Sequence, residues 1–127
     1  MKITGFNPII ASSKAEEIVK VFEALGFEKR HTPVVTSATG TAVVTRMKHE
    51  NGYHVDVLAL DRDIPRDMTG IRINVDDFDE AYALFTARGF EIAPGDSIVD
   101  LGFAKTVIMV APSGFMVSLM QHIKKND

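Results

Sequence analysis

Val21-Phe22-Glu23-Ala24-Leu25-Gly26-Phe27-Glu28 returns later in the chain as Leu84-Phe85-Thr86-Ala87-Arg88-Gly89-Phe90-Glu91. Behind the shared Phe22/Phe85, the pairs Ala24/Ala87, Gly26/Gly89, Phe27/Phe90 and Glu28/Glu91 are identical. The offset is constant at 63 residues, about half of the 127-residue chain. A fixed internal period constrains the whole fold, so the chain reads as two copies of one unit. Two-copy proteins often place their site between the copies.

Each copy has the same order of elements. In the first, an apolar stretch at residues 6–11 leads to Ser12-Ser13-Lys14-Ala15-Glu16. Ser13 with Glu16 three residues on is expected to form a capping box that starts a helix. Ile18, Val19, Phe22 and Leu25 follow at helical spacing as its apolar face. Gly26 is placed to end the helix in the left-handed conformation. Extended segments are expected at 33–36, 41–47 and 53–60, the last two joined by the hairpin dipeptide Asn51-Gly52. The charged, proline-containing stretch that follows reads as a linker.

The second copy repeats this. Residues 70–75 are a strand, and Asp76-Asp77-Phe78-Asp79-Glu80 puts carboxylates at the positive end of a helix. Phe78, Ala81, Tyr82 and Phe85 form its apolar face, and Gly89 ends it. Strands are expected at 92–93, 106–110 and 115–120, the last preceded by the turn Ala111-Pro112-Ser113-Gly114. The boundaries are therefore unit 1–60, linker 61–68 and unit 69–127, within a single domain.

The totals bound the class. The length suits one domain with a core of its own. Hydrophobic content is 46% and charged content 24%, ordinary for a globular protein. Without cysteine, disulfides and thiolate chemistry are excluded. The start lacks the apolar region of a signal peptide, and no run approaches the ~20 apolar residues of a membrane span. Net charge is −3, with the pair Lys124-Lys125 in a polar tail; nucleic acid binding wants a concentrated basic face. The expectation is a cytoplasmic protein that binds neither nucleic acid nor membrane.

The chain resembles the vicinal oxygen chelate superfamily of glyoxalase I, bleomycin-resistance proteins, extradiol dioxygenases and methylmalonyl-CoA epimerase. Val21-Phe22 ahead of Leu25-Gly26-Phe27 resembles the family's "FY…LGF". Ile71-Arg72-Ile73-Asn74-Val75-Asp76-Asp77-Phe78-Asp79 resembles "IxFxVDDLD", and Ala111-Pro112-Ser113-Gly114-Phe115-Met116-Val117-Ser118-Leu119 resembles "DPxGNxIEL". The resemblance covers nearly the whole chain. It implies an α+β fold of two tandem βαβββ units whose curved mixed sheets pair around a cleft, and a homodimer. The fold hosts many reactions, so it implies none in particular.

Metal-dependent members carry ligands on the first and last strands of each unit, usually His or Gln and then Glu. Carried over, those positions fall on Asn7, Asp56, Gly70 and Ser118. Glycine offers no donor, and a neutral serine is a poor ligand beside carboxylate or imidazole. No metal and no other cofactor is expected at the family site.

Other candidates come from strand alternation. His54 and Asp56 lie two apart and share a face, so the carboxylate could raise the basicity of the imidazole. Arg72 and Asn74 share the face of Gly70, opposite the helix-packed Ile71, Ile73 and Val75. Arg72 could hold a ligand's carboxylate or phosphate, or pair with Asp56 across the cleft. Met116 and Met120 share the face of Ser118 and suit an irregular apolar ligand, or an ordinary core. His49, Glu50 and His54 flank a turn and match no metal spacing.

The resulting reading is a metal-independent small-molecule-binding protein resembling the bleomycin-resistance branch. Its ligand would be held by Asn7, His54, Asp56, Arg72, Asn74, Met116, Ser118 and Met120. The alternative is an isomerase, lyase or dioxygenase using Asp56 and His54 with an atypical metal or none.

Overall fold

The computed structural model describes residues 1–31, 34–37, 40–61 and 63–123. Pro33 of one expected strand, Arg62 of the expected linker and the Lys124-Lys125 tail lie outside the described residues. The chain divides into two compact units, Asn7–Thr69 and Met1–Phe6 with Gly70–Asp127. Strand β1 (Ile3–Ser12) supplies its first residues to the latter and the rest to the former.

In the unit spanning Asn7–Thr69, β1 leads to helix α1 (Ala15–Ala24) and then to β2 (Phe27–His31), β3 (Val34–Ser37), β4 (Gly40–His49) and β5 (His54–Leu60). The sheet order is β2-β4-β5-β1, with β3 also on β4. β5 is parallel to β1 and antiparallel to β4, so the sheet is mixed. Val19 of α1 packs with Met47, Val55 and Val57, joined by Ile10, Ile18, Phe22 and Phe27.

The other unit has β6 (Met68–Val75), helix α2 (Phe78–Ala87), β7 (Glu91–Ile92), β8 (Val99–Asp100), β9 (Ala104–Val110) and β10 (Met116–His122). The start of β1 lies on one side of β6, and β10, β9 and β7 follow on the other, with β8 also on β9. Phe78 and Ala81 of α2 pack on Val75, Val107, Met109, Val117 and Leu119.

The fold is α+β, and the βαβββ order holds in both units. Its second strand comes in two short pieces on one neighbour: β2 and β3 both pair antiparallel with β4, and β7 and β8 with β9. The helices keep the offset of 63 at both ends. Gly26 (φ 98°) and Gly89 (φ 92°) are left-handed, as the sequence predicts. Across each, two rings meet edge to face: Phe22 with Phe27 at 5.4 Å and Phe85 with Phe90 at 5.0 Å between centroids. The Asn51-Gly52 hairpin also forms, with the His49 N–H donating to the Tyr53 carbonyl at 2.9 Å.

The start of α1 differs from the expectation. The residue before the helix is Lys14, whose side chain does not cap it, so the Ser13/Glu16 capping box does not form. Ser12, at the end of β1, instead ties down the residue before the helix. Its buried hydroxyl accepts from the Lys14 N–H at 2.9 Å and donates to Asp67 Oδ1 at 2.7 Å. Leu25 does not join the apolar face either; it is 61% exposed, because the helix has ended and the chain is turning toward Gly26.

α2 starts as expected, with Asp77 Oδ1 accepting from the Glu80 N–H at 3.0 Å. A clamp from β10 adds to it. Gln121 Oε1 accepts from the Phe78 N–H at 2.7 Å while Gln121 Nε2 donates to the Asp76 carbonyl at 2.8 Å.

Gly70 sits opposite Met116 in the parallel β6/β10 ladder. A Cβ there would overlap the Met116 carbonyl oxygen and lie 2.9 Å from the Met116 Cβ. The two backbones are too close for any side chain at position 70.

Two expectations follow for urea denaturation. Ser12→Ala should cost about 1 kcal/mol, the net worth of the lost bonds to the Lys14 N–H and the Asp67 carboxylate. Gly70→Ala should cost about 3 kcal/mol, because the obstacle is backbone and cannot rotate away. A Gly70→Ala protein as stable as the parent would show that the strands are not so close.

Candidate functional site

Strand alternation sorts β6 and β10 into two faces. Ile73, Val75, Val117 and Leu119 face α2 in the core. Gly70, Arg72, Asn74, Met116, Ser118 and Met120 are left on the other face. The parallel register sets Arg72 opposite Ser118 and Asn74 opposite Met120. Five of the residues expected to bind ligand are thus gathered in one unit.

Arg72 dominates this face. It is 5% exposed, and Ser118 is 7% exposed. Burying a guanidinium is costly unless its donors are engaged. Here Arg72 Nε donates to Asn74 Oδ1 at 3.1 Å and Nη2 approaches Met120 Sδ at 3.2 Å. Asn74 and Met120 are neutral groups that help orient the guanidinium.

In the other unit, Val55 and Val57 face α1, and Asp56 takes the opposite face at 2% exposure. Register places Asp56 opposite Ile9 on β1 and opposite Arg46 on β4. Arg46 was missed from the sequence. Counting outward from Asn51 finds it, since Arg46 and Asp56 are equally far from the turn. His54 shares the face of Asp56 but is exposed, opposite Lys48 at the turn end of the strand. Burial therefore separates the two members of the expected pair. Asn7 is half-buried, and its Nδ2 donates to the carbonyl of Pro8 at 2.9 Å.

His49 is taken up by local structure. Its Nδ1 accepts from the Asn51 N–H at 3.1 Å, and its ring lies edge-on to Phe27 at 5.3 Å. Among the described residues, no three His, Cys, Asp or Glu side chains are grouped to hold a metal.

The family's metal can be tested against the side chains position by position. Gly70 cannot carry a ligand, because its backbone abuts Met116. Ser118 offers a hydroxyl beside the Arg72 cation. Asn7 offers only a neutral amide oxygen, its nitrogen donating to the Pro8 carbonyl, and Asp56 supplies one carboxylate. This donor set does not suit a divalent metal, which takes imidazole, carboxylate or thiolate.

No described helix is long and apolar enough to cross a membrane. No known protein-family signature matches the chain, and no curated protein sequence matches it. Solved structures do match. A glyoxalase/bleomycin resistance protein/dioxygenase superfamily member from Vibrio splendidus is 13% identical, with a TM-score of 0.60 over 94% of this chain and 99% of that one. Streptomyces coelicolor methylmalonyl-CoA epimerase, in complex with 2-nitronate-propionyl-CoA, is 16% identical, with a TM-score of 0.64 over 97% of this chain and 100% of that one. Glyoxalase I from Zea mays is 15% identical, with a TM-score of 0.60 over 98% of this chain and 45% of that one. At such identities the likeness concerns the fold and leaves the chemistry open. The repeated units, their strand order and these neighbours agree that the chain has the vicinal oxygen chelate fold.

Proposed function

We propose that this protein binds a small molecule without a metal, in the manner of the bleomycin-resistance branch of its fold, and that Arg72 anchors the ligand. The carrying observation is the buried Arg72 guanidinium beside Gly70 and Ser118, the positions where metal-dependent members would carry ligands. A guanidinium is suited to receive a planar anionic group. Met116 and Met120 on the same face offer adaptable apolar contact.

An enzyme working through Asp56 and His54 is the second reading. Methylmalonyl-CoA epimerase and glyoxalase I among the structural neighbours favour it, as does the buried Asp56 carboxylate. The exposure of His54 weighs against a pre-organised acid–base pair.

Two measurements test the first reading. Isothermal titration with zinc, nickel, manganese and iron(II) should give no stoichiometric binding; one equivalent bound at micromolar affinity and lost in Asp56→Ala would overturn metal independence. Thermal-shift measurements with small carboxylates, phosphates and sulfonates should find at least one stabilising anion, since a ligand at 100 times its Kd adds about 2.7 kcal/mol. Arg72→Met should keep the fold and weaken that anion at least tenfold, about 1.4 kcal/mol. Equal binding by the variant would remove Arg72 as the anchor.

A further inference from the structure

We propose that Asn51 is a site of spontaneous modification, where water converts the asparagine to aspartate and isoaspartate, and that His49 holds the turn that restrains the conversion.

The reaction needs a carboxamide and the backbone nitrogen of the next residue. That nitrogen loses its proton and attacks Cγ of the asparagine. The bond from nitrogen to Cγ forms, the bond from Cγ to Nδ2 breaks, and ammonia leaves behind a five-membered imide. Water then opens the ring at either carbonyl. One opening gives aspartate; the other gives isoaspartate, whose main chain runs through Cβ and Cγ. Nothing is oxidised or reduced, and the site gains one negative charge.

Asn7, Asn51 and Asn74 are the asparagines among the described residues. Asn7 precedes Pro8, whose nitrogen has no proton to lose. Asn74 precedes Val75, a β-branched residue inside β6 that is 2% exposed, so its nitrogen is shielded. Asn51 precedes Gly52, and both are exposed. Gly52 has no side chain to crowd its nitrogen, and even a Cβ there would meet nothing within 4 Å. The chemistry therefore selects Asn51.

The turn opposes it. Glu50, Asn51 and Gly52 bridge His49 and Tyr53, and the Gly52 N–H donates to the His49 carbonyl at 2.8 Å. The nitrogen that must attack is thus held by its proton. The Asn51 N–H donates to His49 Nδ1 at 3.1 Å, so two successive donors of the tip end on one residue. The imidazole is seated in its turn. It lies edge-on to Phe27 at 5.3 Å and against Gly26, where a Cβ would be 3.2 Å from Nε2. The corner after α1 fixes the imidazole, and the imidazole fixes the tip. The second copy has the same turn, with the Gly114 N–H donating to the Ala111 carbonyl at 2.9 Å, but Ser113 before the glycine has no carboxamide. Attack at Asn51 requires the tip to open, so its rate follows the population of open hairpin ends.

The test is incubation of the protein in mildly alkaline buffer, with and without urea. Peptide mapping by mass spectrometry follows asparagine, aspartate and isoaspartate at each position. The folded protein should convert Asn51 while Asn7 and Asn74 stay intact, and at least about tenfold more slowly than the unfolded chain. His49→Phe keeps a ring against Phe27 and loses the acceptor. It should speed conversion in the folded protein about fivefold, the worth of one hydrogen bond, and leave the rate in urea unchanged. In the parent, protection of the Gly52 N–H from hydrogen exchange should match the slowing of conversion to within about threefold, since both read the same opening. Conversion as fast in the folded protein as in urea would overturn the restraint, and an unchanged rate in His49→Phe would remove His49 as its source. If His49→Phe does not fold, a mismatch between exchange protection and slowing in the parent overturns the restraint alone. Conversion of Asn7 or Asn74 ahead of Asn51, or an intact Asn51 after the time that the exchange protection sets for its conversion, would overturn the site.

Discussion

An edge-to-face pair of phenylalanines across a left-handed glycine closes each helix, and the rest of each unit is hung from it. At Gly26 and Gly89 the chain leaves the helix with φ near +95°, a conformation that costs other residues strain. The reversal brings Phe27 back onto Phe22, and Phe90 back onto Phe85. Each contact fixes where the next strand begins, at Phe27 in one unit and beside Glu91 in the other. Phe27 and Phe90 also pack on the two apolar clusters, so one ring closes the helix and joins the core.

Once the helices are seated, alternation decides everything on the sheets. One set of residues must meet the helix and is apolar: Val55 and Val57, or Ile73, Val75, Val117 and Leu119. The other set is then free to be chemically unusual. It holds Asp56 and Arg72, both nearly inaccessible to solvent. Groups with this desolvation cost are a weak source of stability, since well-packed apolar residues would serve as well. Arg72 is held in place by at least two side chains, Asn74 and Met120.

Much of this was legible in the sequence because it depends on local rules. The repeat, the two terminating glycines, the Asn51-Gly52 hairpin, the Asp77 cap and the faces of β6 and β10 each follow from a few neighbouring residues. What was missed depends on contacts distant in sequence. Ser12, rather than Ser13, binds the chain just before α1, and its hydroxyl also donates to Asp67, 55 residues on. Gln121 clamps α2 from 43 residues away. The hold of Asn74 on Arg72 spans only two residues, yet Asn74 also lies close against Gly5, near the start of the chain. Arg46 is the exception: hairpin arithmetic alone would have set it opposite Asp56. The short β8 carries too few residues to show a period.

The contact between Gly70 and the Met116 backbone also bears on how such a protein can change over evolutionary time. A histidine at position 70 is disfavoured while β6 and β10 lie this close, because any side chain there costs stability before it can serve as a donor. The strands would first have to part through substitutions elsewhere, none of which brings a benefit at the site. A metal donor at position 70 therefore comes to this sequence only at the expense of the β6/β10 pairing.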